Sequence, residues 1–196
     1  MLKRIALFGL VFALLVLVSC AKAPEQEIQN ANTAIETARA SEAEDYAPDA
    51  FAIAMDTLTA AMAAKEEADG KFALFRSYSK SKELFIRAEA LANEAQVTAQ
   101  TEKERVRMEA EGLLTPAKAL LDSADVALKK APKGKGTKAE IELITQDLNA
   151  TKAEYDGAKL DYDAGKYKAA KTKLEAVMQK TRSIMDEISK ARAMKK

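Results

Sequence analysis

The chain has 196 residues, with 31 basic and 30 acidic side chains, a formal net charge of +1, one Cys, no His and no Trp. Near-neutral charge offers no electrostatic footprint for nucleic acid. The missing His removes imidazole acid–base chemistry, the commonest transition-metal ligand and c-type haem attachment. One Cys leaves no disulfide within the chain, so the fold must hold by packing.

Lys3 and Arg4 precede an unbroken apolar run from Ile5 to Val18, closed by Ser19 and Cys20. A charged start, a short apolar core and a small residue before the end form the pattern of a secretory signal. The run is fourteen residues, where a membrane-spanning helix needs about twenty. The stretch Leu17-Val18-Ser19-Cys20 resembles the lipobox of bacterial lipoproteins. That resemblance implies cleavage before Cys20, diacylglycerol on its sulfur and an acyl group such as palmitate on the freed amine. Ala21 rather than Asp after the cysteine fits, within the same resemblance, the outer membrane, with the protein facing the periplasm. Residues 1–19 are therefore expected to be a lipoprotein signal peptide, and Cys20 the lipidation site.

Past the leader, Pro and Gly are few, and the Ala-, Glu- and Lys-rich stretches between them favour helix. No stretch alternates apolar and polar long enough for a strand. Phe51, Ala54, Leu58, Ala61, Ala68 and Phe72 recur at steps of three and four, with Lys65 interrupting. Ile141, Ile144, Leu148, Thr151, Tyr155, Ala158 and Tyr162 repeat that pattern 90 residues later. Ile28, Ala31, Ile35 and Ala38 match Leu114, Ala117, Leu121 and Ala124 at an offset of 86. Tyr78, Phe85, Ala88 and Ala95 match Tyr167, Leu174, Val177 and Ile184 at 89. Three helices thus recur in order, with length changes confined to connections, which reads as an internal repeat.

The expected fold is all-α: two tandem antiparallel three-helix units, over 20–112 and 113–196. Pro48 suits a first helical turn, Thr115 and Thr137 read as N-caps, and Gly70 and Gly165 as left-handed helix ends. Gly112 to Pro116 is either a tight turn or a kink in a long helix shared by both units. Much of each seam is Ala, of which the chain has 40. Small seam residues bury little area, so the aromatic residues Phe51, Phe72, Phe75, Tyr78 and Phe85, then Tyr155, Tyr162 and Tyr167, are expected to anchor the cores.

Two segments, Glu44-Asp45-Tyr46-Ala47-Pro48-Asp49-Ala50-Phe51 and Gly165-Lys166-Tyr167-Lys168-Ala169-Ala170, carry a further resemblance. They are similar to helix starts in an alanine-rich domain-of-unknown-function family of bacterial envelope lipoproteins, a likeness extending over most of the chain past the leader. The second also resembles the helix start of tetratricopeptide repeats. The resemblance implies a helical fold and an envelope location, and it brings no known activity.

The acidic pairs Glu66-Glu67, Asp122/Asp125 and Asp161/Asp163 are expected to be solvated helix faces rather than catalytic or metal-binding carboxylates. No phosphate loop, nucleophile elbow or zinc spacing occurs, and no cofactor or catalytic residue is expected. Lys129, Lys130, Lys133, Lys135 and Lys138 surround a Pro/Gly connection and are candidate contacts for anionic cell wall or lipid. The terminal Lys195-Lys196 is similar to the end of the murein lipoprotein, making Lys196 a candidate peptidoglycan attachment. The leading function is an envelope spacer or interaction adaptor, anchored to the membrane, able to form homo-oligomers and with no nucleic-acid partner. The second is a periplasmic carrier or chaperone for an apolar ligand. A filled core favours the first, an apolar pocket the second.

Overall fold

The structure, a computed structural model, describes residues 22–132, 134 and 137–193. Among them lie six α-helices and no strand: α1 (Glu25–Ala40), α2 (Ala43–Tyr46), α3 (Pro48–Asp69), α4 (Ser79–Lys129), α5 (Lys138–Asp163) and α6 (Tyr167–Ala193). The protein is all-α. It divides into two compact units, one through Glu102 and one from Lys103. The division falls inside α4, whose 51 residues run without interruption past Gly112 and Pro116. The segment is helix, not a tight turn, and Thr115 is a helix-interior residue rather than an N-cap. Pro116 removes one N–H from the ladder there.

In the first unit, Glu42 takes a left-handed conformation (φ 59°) between α1 and α2. Pro48 occupies the first turn of α3, where its missing N–H costs nothing. Gly70 ends α3 in the right-handed region (φ −68°). The left-handed turn expected at Gly70 is therefore absent, and a side chain there would meet only ordinary contacts. Ala31, Ala38, Ala54, Ala61, Ala88, Ala92, Ala95, Ala99 and Phe85 are wholly buried, with Phe51, Leu58 and Tyr78 also buried. Alanine seams let helices approach closely, and the few large side chains fill what remains. The Arg39 guanidinium lies 5.6 Å from the centre of the Phe51 ring.

In the second unit the direction of each helix is visible in its cross-links. Lys173 meets Asp161 (2.6 Å) and Lys180 meets Glu154 (2.5 Å). Seven residues forward on α6 meet seven residues back on α5, as antiparallel neighbours require. Lys152 reaches Asp125 (2.5 Å) and the Tyr155 hydroxyl donates to the Leu114 carbonyl (3.4 Å), setting α5 antiparallel to α4. Lys171 pairs with Glu109 (2.7 Å), and Arg192 donates to the Ala127 carbonyl (2.5 Å), setting α6 parallel to α4. One contiguous cluster, including Leu121, Ile144, Leu148, Leu174, Val177 and Ile188, fills the interior. Buried Thr151 and Thr181 donate to carbonyls four residues back (2.7 Å each). No buried side-chain N or O lacks a partner among the described residues. Gly165 turns α5 into α6 at φ 77°, where an L side chain is strained.

Thr137 stands at the expected N-terminal position of α5, but its hydroxyl does not cap the helix. It donates backwards to the Pro132 carbonyl (2.8 Å), pinning the connection instead. Buried positions recur along the chain: Phe51, Ala54, Leu58, Ala61 and Ala68 are buried, and so are Ile141, Ile144, Leu148, Thr151 and Ala158. The same holds for Ala31, Ile35 and Ala38 beside Ala117, Leu121 and Ala124, and for Phe85, Ala88 and Ala95 beside Leu174, Val177 and Ile184.

Candidate interaction surface

The connection from α3 to α4 is built to hold its shape. Asp69, the last residue of α3, accepts from Lys65 (2.7 Å) and from the Tyr78 hydroxyl (2.5 Å). Lys65, and after it Tyr78, hold the Asp69 carboxyl below its usual range, while Asp69 and burial push the Tyr78 phenol up. Arg76 donates to the backbone carbonyls of Asp69 (3.0 Å) and Lys71 (3.1 Å). These bonds close the neck of the loop. Beyond the neck, Ala73–Phe75 form one 3-10 turn, with Phe75 N–H donating to the Phe72 carbonyl (2.9 Å).

A closed neck leaves the apolar residues of the turn nowhere to go but outward. Phe72 is 69% exposed, Leu74 57% and Phe75 78%. Phe72 and Phe75 therefore do not anchor the core as the sequence suggested; Phe51, Tyr78 and Phe85 do. The reason is helix length. The equivalent of Phe72 is Tyr162, which lies inside α5, a helix of 26 residues. The corresponding α3 has 22 residues and stops before Phe72 is reached. Tyr162 instead packs against Tyr167 (centroids 5.4 Å apart) and accepts from Arg107 (3.3 Å). The signal for an exposed tip was present: three large apolar residues within the seven between Gly70 and Tyr78 have too little chain to fold back inside.

The turn lies at the same end of its unit as the start of α1. Lys82, in the first turn of α4, pairs with Glu27, in the first turn of α1 (2.7 Å). A surface cleft there is lined by Lys22, Pro24 and Glu27 on one side and Arg76, Tyr78 and Lys82 on the other.

The other candidate positions are dispersed. Cys20, Lys133, Lys135 and Lys196 lie outside the described residues. Lys130 and Lys138 are exposed. Lys129 is exposed but pairs with Asp125 (2.7 Å). Asp125 is also bridged by Lys152, and the two ammonium groups hold its carboxyl at about 2. The acidic pairs are largely tied into ion pairs: Glu67 with Lys71, Asp122 with Lys118, Asp161 with Lys173 and Asp163 with Lys159. No group of metal-ligating side chains and no helix long and apolar enough to cross a membrane occurs among the described residues. Between α5 and α6 a shallow groove runs over Ala153, Gly157 and Ala176, edged by Glu154 and Lys173.

Residues 26–111 match a domain of unknown function, DUF4398. The DUF4398 domain thus takes in α1 to α3 and the first part of α4. It contains the Tyr46-Ala47-Pro48 segment and not the Gly165–Ala170 segment, so the likeness spans less of the chain than both segments together implied. No curated protein matches the chain significantly. No solved structure does either.

Proposed function

We propose that this protein is a lipid-anchored adaptor or spacer of the bacterial envelope, held by acylated Cys20 in the outer membrane and facing the periplasm. The reading assigns it no reaction. The observation that supports it over a carrier is the packed core of the second unit. In the second unit, side chains from Ala117 to Ala191 interlock in one cluster, so opening that unit around an apolar ligand means breaking close packing. Cross-helix ion pairs then cover the outside, and such a unit serves as a fixed surface. The recurring buried positions support reading the second unit as a copy of the first. Lys130, Lys133, Lys135 and Lys138 remain its candidate contacts with anionic cell wall, and Lys196 a candidate covalent one.

Photo-crosslinking in cells tests this. A crosslinker placed at exposed Leu143 or Leu160 is expected to give discrete adducts with one envelope protein or with peptidoglycan, lost when Cys20 is replaced by Ser. An apolar molecule co-purifying with the chain, with no adduct from either position, overturns the adaptor in favour of the carrier.

A further inference from the structure

The geometry points to a second membrane contact: the Phe72-Leu74-Phe75 turn inserts into the surface of the same leaflet that holds the Cys20 acyl chains, docking the first unit end-on to lipid. The inference rests on the lipid anchor proposed above. Three observations carry it, all within the first unit.

The first is position. Cys20 precedes Lys22 by two residues, which extended chain spans in about 7 Å. Lys22 and Pro24 line one cleft with Arg76 and Tyr78, and the Lys82–Glu27 pair fixes the starts of α1 and α4 side by side. An anchor at Cys20 therefore brings the α3–α4 turn to the bilayer surface. The second is exposure on a tied loop. Asp69, Arg76 and Tyr78 tie the neck, so presenting Phe72, Leu74 and Phe75 to water is a fixed cost of this fold. Clustered exposed apolar side chains of this kind mark a contact surface. The third is chemical pattern. Lys71 adjoins the apolar turn in sequence, Lys80 follows it by five residues and Lys22 lines the cleft with Arg76, all three exposed, a pattern that buries rings at the headgroup boundary and leaves ammonium groups among phosphates.

The charge around the turn is mixed. Glu66 and Glu67 precede the turn closely in sequence and Glu25 follows Lys22 by three residues; all three are exposed, and Lys71 pairs with Glu67 (2.8 Å). The apolar side chains, rather than net charge, supply the attraction. Insertion is therefore expected in zwitterionic as well as anionic bilayers. A lipid surface suits the turn better than a protein groove because a two-residue tether already places it there.

The absence of Trp from the chain makes the test direct. Phe75→Trp and, as a control, Val97→Trp each introduce one reporter. Val97 is 62% exposed and stands 18 residues into α4, about 27 Å along its axis. The acylated full chain is purified from membranes and reconstituted into vesicles of phosphatidylethanolamine and phosphatidylglycerol, some carrying brominated acyl chains. Circular dichroism confirms that each variant is folded, and the mass of the Cys20 peptide reports its acylation independently. The expected result is blue-shifted emission at position 75, quenched by brominated lipid, with position 97 unshifted and unquenched. For a chain purified without acylation, each of Phe72→Ser and Phe75→Ser is expected to lower vesicle partition roughly tenfold.

Acylated chain with position 75 unquenched overturns the inference and leaves the anchor standing. Chain recovered from bacterial membranes with an unacylated Cys20, yet quenched at position 75, overturns the anchor and keeps the tip. Shifted emission that appears without vesicles and rises with protein concentration means a second copy covers the turn, which also overturns the inference.

Discussion

Asp125 shows how single residues hold this molecule. It sits on α4 and accepts from Lys129 on its own helix and Lys152 on α5 (2.7 and 2.5 Å), so one carboxylate serves two cations. Its carboxyl is held at about 2, below the usual 3.8. A depressed carboxyl stabilises the fold above its unfolded value and loses that contribution as pH falls through its folded one. Asp125 should therefore contribute fully above about pH 5 and lose its contribution between about pH 4 and 2. Thermal unfolding of Asp125→Asn across this range is expected to show lower stability near neutrality and a shallower acid limb than the parent chain. Charge patterning placed Asp125 on a solvated face, but its cross-helix partner was not legible, because sequence spacing shows neighbours on one helix and not on the next. The exposed phenylalanines were hidden for a different reason. The three-and-four step continues through Phe72 on paper, while the backbone leaves the helix at Asp69.

At the scale of elements, the three glycines of α4, α5 and their neighbouring turn separate local propensity from backbone demand. Gly112 and Gly157 lie inside helices, and a Cβ built at either meets nothing within 4 Å. Gly112→Ala and Gly157→Ala should each raise stability by about 0.5–1 kcal/mol, because Gly in a helix interior costs that much relative to Ala. Gly165→Ala should lower it by about 1–2 kcal/mol, since φ is 77° there. Denaturant midpoints of the three variants check the opposite signs. Helical periodicity gave away much of the buried face of each long helix, though not Ala99, Val106 and Ala110 in the middle of α4, and Pro48 gave away the start of α3. The continuity of α4 through Pro116 was left open, because Pro ends most helices but is tolerated in some, according to what packs beside it. Leu148 is wholly buried and Leu58 is 9% exposed. Leu148→Ala is expected to cost about 3 kcal/mol and Leu58→Ala about 2. Unchanged unfolding of either would break the equivalence of the two positions.

For the whole molecule, charge is the property that two nearly equal totals conceal. Residues 20–115 carry 11 basic and 18 acidic side chains, and residues 116–196 carry 18 and 12. A basic C-terminal half suits the proposed contact with an anionic wall, and exposed charges lose most of their attraction beyond about 10 Å at 0.1 M salt. A chain of residues 20–196 should sediment with peptidoglycan at low salt and be released near physiological salt. Neutralising Lys130, Lys133, Lys135 and Lys138 together should abolish that binding, whereas neutralising Lys129 alone should not, because its ammonium already answers Asp125. Salt-independent sedimentation would contradict an electrostatic contact.

Where the protein resides governs the proposed wall and lipid contacts, and in the proposed reading Cys20 decides it. Expressing the full chain and its Cys20→Ser variant in a bacterium, with labelled fatty acid, then fractionating membranes and weighing the N-terminal peptide, tests this directly. The expected parent is a chain beginning at Cys20, carrying acyl groups and recovered in the outer membrane. The expected variant is unlabelled and either uncleaved or soluble. A parent chain without label, or a Cys20→Ser variant that is still acylated and sorted to the outer membrane, would contradict the account.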